Sequence, residues 1–230
     1  METALAGLVA ANVAFVGSHF AMSHALREPM VRSLGEKGFL GVYSLVSLGF
    51  FAWVVLAFRA TGEALGRAVL WDAGDAGWIV SSLLTVVATV LVLGANGRSN
   101  PAMVGMGEAA AAAARPVGAL AVTRHPMMWG VAIWALAHVI AWPSPRTLVT
   151  AMAMAVLALL GAHLQDGKKE ALLGDAWKGW QAQTSFLPRF HRLGSIGIGS
   201  WAAAIVLWLA FTWAHGWLGV PAAGPWRWIG

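Results

Sequence analysis

Six long stretches of the chain carry almost no charge and are too apolar for water: residues 4–22, 39–59, 77–95, 127–142, 146–165 and 199–217. This feature constrains everything else. A bilayer core is crossed by roughly 20 apolar residues in a helix, and in lipid only helices and closed barrels satisfy their own backbone. The stretches lack the period-two alternation of barrel strands. The sequence therefore predicts an all-α fold, a polytopic transmembrane bundle of about six helices, with residues 1–230 as one membrane domain. Composition agrees, since charged residues make up 11% of the chain against roughly 25% in a soluble domain. The span at 127–142 is short, and the tight turn Trp142-Pro143-Ser144-Pro145 after it predicts an antiparallel hairpin with the next span. There is no long internal repeat.

The basic residues sort the loops. Arg27, Arg32 and Lys37 follow the first span; Arg98, Arg115 and Arg124 follow the third; Lys168, Lys169, Lys178, Arg189 and Arg192 follow the fifth. The alternate loops and the tail keep only Arg59, Arg67, Arg146 and Arg227. The positive-inside rule then puts the three basic loops in the cytoplasm and both termini in the periplasm of a bacterial inner membrane. The net charge of +5 is thus a topology signal, and nucleic acid is not an expected partner. The acidic start Met1-Glu2-Thr3 reads as the beginning of the first span rather than a signal peptide. The chain has no cysteine, which excludes disulfides, thiolate metal sites and covalent haem attachment.

This topology sets the histidines at different depths. His19 and His24 come near the cytoplasmic end of the first span, His125 opens the fourth on that side and His163 closes the fifth. His138 and His215 fall toward the outer face, and His191 in a loop. An ionisable group inside a membrane is costly and by default a functional hypothesis. Neutral imidazole suits haem iron, and two histidines on different helices can clamp a haem from both faces. Asn12 lies on the same helix face as His19, and both are expected to point inward. His24 is turned roughly 140° from His19 and reads as an interfacial residue. His138 and His215 read as histidines that hydrogen-bond locally, with His138 sharing a face with Trp134.

Two further clusters stand out. In Thr123-Arg124-His125-Pro126, proline suits a first helical turn, and Arg124 can meet a phosphate, carboxylate or propionate beside an imidazole. His163, Asp166 and Glu170 share one helix face by spacing. They read either as a metal or substrate site or as ion-pair partners of Lys168, Lys169 or Arg124. The Gly/Ala-rich segment 97–122 reads as a linker with one short helix, or as a flap over a site.

An ordered set of motifs completes the picture. It comprises Gly17-Ser18-His19 with Arg27, Tyr43-Ser44-Leu45-Val46-Ser47, Asn100-Pro101, Thr123-Arg124-His125-Pro126 with Trp129-Gly130, Trp134-Ala135-Leu136-Ala137-His138, and Thr184-Ser185-Phe186-Leu187-Pro188. Together they resemble the NnrU family, which is similar to the zeta-carotene isomerases. The resemblance covers about residues 5–215. It implies haem b as cofactor and an association with denitrification, through nitric oxide reductase or its maturation. Carried over by motif, His19 and His125 become the axial-ligand candidates, with Arg124 or Arg27 holding a propionate; His138 and His163 match further family histidines. A haem-dependent isomerase of a carotenoid-like polyene, acting on an apolar small molecule, is one alternative. The cysteine used by the plant isomerases is missing here. A second resemblance, in Arg124-His125-Pro126 with Lys169-Glu170, Leu173-Gly174, Trp177, Trp180 and Pro188, is to the isoprenylcysteine methyltransferases, and implies S-adenosylmethionine. A non-catalytic assembly partner is the remaining alternative.

Overall fold

The computed structural model describes residues 2–65, 68–96, 100–103, 106, 108–221 and 223–229. Arg67 and Arg98, two of the charges that sort the loops, lie outside the described residues, as does part of the segment 97–122. The described helices are α1 (Glu2–Ser23), α2 (Arg27–Leu65), α3 (Gly74–Asn96), α4 (Glu108–Ala113), α5 (Ala119–Val122), α6 (Pro126–Ala141), α7 (Pro145–Leu173), α8 (Asp175–Gln183), α9 (Ile198–Trp217) and α10 (Trp226–Ile229), with a 3₁₀ turn at Phe190–Ser195. No strand occurs among the described residues. Five helices (α1, α2, α3, α7 and α9) are long and apolar enough to cross a membrane, and α6 is a shorter apolar helix of 16 residues. Their exposed faces carry large aliphatic side chains, Leu45, Leu56, Leu83, Met152 and Val206 among them. Such continuous apolar exposure belongs in lipid. The chain is an all-helical membrane protein.

Two helices outrun their apolar spans. α2 has 39 residues and begins well before residue 39. Its charged start is set off by Gly35, whose φ of 69° breaks the helical path at a residue without a Cβ penalty there. α7 has 29 residues and continues past residue 165 through Lys168, Lys169 and Glu170 to Leu173. Hydropathy ends a span at charge, but Lys, Glu, Ala and Leu are strong helix formers. Gly174, with φ 50°, provides the stop.

The chain divides into two compact units. The first is Met1–Asp72 with Trp142–Leu157, containing α1, α2 and the first part of α7. Ala11, Phe15 and Val54 form its core, joined by Phe50, Met154 and Leu157. Thr61 Oγ1 donates to the Ala4 carbonyl at 3.1 Å, fastening α2 to the start of α1. Arg146 lies over the Phe58 ring at 4.6 Å. The bare α-carbon of Gly62 makes room for it, because a Cβ there would come within 1.6 Å of the guanidinium.

The second unit is Ala73–Ala141 with Ala158–Gly230. Here α3 packs against both α6 and α9. Its main core holds Ala88, Val90, Leu91, Ala119, Val122, Ile133, Ile196 and Ala204. α6 turns small residues inward, namely Gly130, Ala132, Ala135, Ala137 and Ala141, and small residues let helices in lipid approach closely. At Gly130 the approach to α3 leaves no room: a Cβ there would sit 2.7 Å from Val92 Cγ2 and 2.9 Å from the Ala88 carbonyl. A second core gathers Ala102, Ala111, Ala114, Leu120, Leu173, Trp177 and Trp180. It holds the described part of the segment 97–122 against α7 and α8. Gln165 Nε2 donates to the Ala102 carbonyl at 2.8 Å, and Lys169 Nζ to the carbonyls of Met103 and Met106 at 2.8 and 3.0 Å. The composition suggested a linker with one short helix; the described residues of this segment carry two, α4 and α5.

Candidate functional site

The corner between α5 and α6 is built from backbone upward. α5 ends after one turn because Thr123 is extended, with φ −156° and ψ 152°. Its hydroxyl donates toward the carbonyls of Ser185 and Phe186, at 3.1 and 2.7 Å, and accepts from the His125 amide at 3.2 Å. The Arg124 amide donates to the Ser185 carbonyl at 2.9 Å, and the Arg189 amide to the Val122 carbonyl at 2.8 Å. Residues 184–189 are thereby stitched to the corner. Pro126 then opens α6 at a position where its missing N–H costs nothing.

Two side chains of this corner converge on Asp166 of α7. His125 Nε2 lies 2.6 Å from Asp166 Oδ1. Arg124 Nε donates to both carboxylate oxygens, at 3.1 and 3.0 Å, and its NH2 nitrogen donates to Oδ2. An ionised carboxylate only accepts, so the proton between His125 and Asp166 sits on Nε2. Side-chain exposures of 3% for His125, 11% for Arg124 and 12% for Asp166 place the cluster inside the protein. Phe186 covers it, 5.6 Å from the His125 ring and 5.5 Å from the Arg124 guanidinium. The charges of Arg124 and Asp166 cancel, and both carboxylate oxygens are in use. For Asp166 the ion-pair reading of the sequence describes this structure, with Arg124 as partner. His163 and Glu170 are exposed and do not join it.

The first unit holds the other residues singled out from sequence. Asn12 is 2% exposed; its Nδ2 donates to the Leu8 carbonyl at 2.9 Å, and its Oδ1 is buried without a hydrogen bond. His19 is half-buried between Phe15, at 4.4 Å, and Tyr43, at 5.5 Å. Its Nδ1 donates to the Phe15 carbonyl at 2.8 Å. Arg27 is paired with Glu36 at 2.9 Å and lies 5.5 Å from the Phe39 ring. His24 is exposed.

His138 and His215, read from sequence as locally hydrogen-bonded, do have local partners. Nδ1 of His138 reaches the Trp134 carbonyl at 2.8 Å, and Nδ1 of His215 the Phe211 carbonyl at 2.7 Å. A carbonyl can only accept, so each Nδ1 carries the proton and each neutral ring keeps its lone pair on Nε2. Sequence reasoning missed two things here. One is that the two rings are neighbours, with centroids 6.4 Å apart. The other is the shared arrangement of His19, His138 and His215. Its signal was present: each has an aromatic residue four positions earlier, Phe15, Trp134 and Phe211. Phe186 and the carbonyls around Thr123 were also missed, since partners some sixty positions away leave no local pattern.

These geometries differ in how they suit a haem. The three Nδ1-tied imidazoles fit an axial ligand, because fixing one ring nitrogen orients the other toward a metal. His125 likewise has one ring nitrogen fixed, Nε2 on Asp166, but its ring is enclosed by the corner, with 3% of the side chain exposed. Arg124 and Arg27 both have carboxylate partners from the chain itself. Among the described residues no group of three or more His, Cys, Asp or Glu side chains is placed to hold a metal ion.

No curated protein and no solved structure matches the chain. The family model described as NnrU protein matches residues 7–222. That span takes in α1, the α5–α6 corner and both histidines of the 6.4 Å pair, and the chain belongs to the NnrU family.

Proposed function

We propose that this NnrU-family chain is a haem b-binding protein of the bacterial inner membrane, with its basic loops in the cytoplasm and both termini in the periplasm. Its role is in nitrogen-oxide metabolism, beside nitric oxide reductase or its maturation machinery. One observation carries the haem reading: His19, His138 and His215 all lock Nδ1 onto the carbonyl four residues back. Each presents a lone-pair nitrogen from an apolar helix, where an imidazole without a purpose is expensive. A haem held by two such rings supplies one-electron chemistry, which suits transfer or sensing rather than turnover at the iron.

The test is an optical spectrum. The protein is expressed with ample haem supply, purified in detergent and scanned, and a Soret band with low-spin visible bands is expected. A folded preparation with no Soret band overturns the reading. The metabolic role is checked separately, by nitric oxide reductase activity in a host lacking the gene. Unchanged activity removes that part.

A further inference from the structure

We infer that the iron is held within the second unit, between His138 of α6 and His215 of α9. This rests on the haem reading above and names its ligands. A transition-metal ion bound by side chains alone wants three or four of them, and no such group exists among the described residues. A tetrapyrrole brings four nitrogens of its own, so its iron asks the protein for only two. Two imidazoles within reach of one another are therefore sufficient, and this pair meets that condition.

The spacing fits. Metal–imidazole bonds of about 2.0–2.1 Å set the centroids of two rings sharing one metal about 5 to 6.5 Å apart, the wider value for ligands on opposite sides. The observed separation is 6.4 Å. The tautomers fit as well, since Nδ1 of each ring is occupied by a backbone carbonyl and Nε2 is left as the ligand nitrogen. Trp134 and Phe211, each one turn before a histidine of the pair, are exposed, an apolar lipid-facing setting that suits a macrocycle. A cation is close in the same unit. Arg227 lies over Trp78 at 4.3 Å, one helical turn before Ser81, whose hydroxyl bonds the carbonyl of Ala137 beside His138. The other candidates are less suited: the His125 ring is enclosed, with 3% of its side chain exposed, and His19 faces Tyr43 rather than a second imidazole.

The experiment compares wild type, His138→Ala, His215→Ala and His215→Met as purified proteins loaded with haem, by optical and electron paramagnetic resonance spectra. Each alanine variant is expected to lose the low-spin bis-imidazole spectrum and to bind haem at least about 10-fold more weakly. His215→Met keeps a ligand atom and is expected to retain haem with a raised reduction potential. His24→Ala, at an exposed residue, should leave the spectrum unchanged. If wild type binds haem and both alanine variants, folded by circular dichroism, keep the low-spin spectrum, this assignment is overturned while the haem reading stands. If wild type binds none, both fall.

Discussion

The α5–α6 corner and the His138/His215 pair lie in one unit and share a helix, yet they treat imidazole in opposite ways. At the corner His125 is enclosed: its Nε2 is on Asp166, Arg124 takes the rest of that carboxylate, Phe186 packs over the ring and 3% of the side chain is exposed. In the pair, Nδ1 of each ring is on a carbonyl of its own helix and the rings are only partly buried. A closed cluster contributes to the fold and leaves no open space around its imidazole for a ligand. An open pair contributes little to the fold and keeps a nitrogen for one. The type of residue and its depth in the membrane are therefore poor guides to its role; how far the ring is enclosed is the better one.

Removing the shared acceptor is the most severe way to break this contrast. Asp166→Ala leaves a guanidinium and an imidazole buried without a counter-charge. Breaking a buried pair in this way costs about 3–5 kcal/mol. Unfolding of the purified protein in detergent should show it, and Asp166→Asn, which keeps one acceptor, should lose less. A change under about 1 kcal/mol would mean that the corner is wet and that its closure is no part of the stability.

A second variant acts on the helix common to both regions. Gly130 sets the distance between α3 and α6, and α6 carries His138 as well as the turn that begins beside His125. Gly130→Val forces a side chain against Val92 and the Ala88 carbonyl, an overpacking expected to cost about 1–3 kcal/mol. Because it shifts α6 and leaves α9 alone, it should also weaken the low-spin haem spectrum without touching an imidazole. Loss of stability with an unchanged spectrum would separate the haem ligand from α6.

How much of this was legible in the sequence follows from the range of each interaction. The spans could be read because lipid imposes a long apolar run on each crossing, and α1, α3 and α9 follow their runs within a few residues. α7 could not, because its charged extension is helical for reasons of propensity that hydropathy does not register. Arg124 and His125 were singled out for a cofactor, and Asp166 for a metal or substrate site or as an ion-pair partner of Lys168, Lys169 or Arg124, the last of which the structure shows. Their closure on one another joins positions more than forty apart and depends on how Thr123 ties residues 185 and 186 to the corner. The pairing of His138 with His215 depends on α6 and α9 both flanking α3, which no local spacing encodes.

The Thr123 hydroxyl tests how far the closed corner relies on its backbone ties. Thr123→Val keeps the shape and β-branching but strips the donor to the Ser185 and Phe186 carbonyls and the acceptor for the His125 amide. Unpairing buried groups costs about 1–3 kcal/mol, measurable by the same unfolding experiment. The haem spectrum should not change, since nothing in the pair touches Thr123. A spectral change would show that the corner and the pair are coupled.

The smallest effect is the most discriminating. Without haem, His138→Phe and His215→Phe each remove a single hydrogen bond to a carbonyl of the same helix. Such a bond contributes about 0.5–1.5 kcal/mol, and the new ring regains apolar contact, so the apo protein should change stability by less than about 1 kcal/mol. With haem the comparison reverses. A ligand that binds only the folded state stabilises it by about 2.7 kcal/mol at a free concentration 100 times its Kd. Wild type should gain that increment on adding haem, and the phenylalanine variants should gain little of it. Parallel unfolding curves with and without haem give the two numbers directly. Equal gains in wild type and variants would place the iron away from this pair. A large loss in the apo variants would show that the two imidazoles hold the fold together as the corner does, and the contrast between an open and a closed site would be gone.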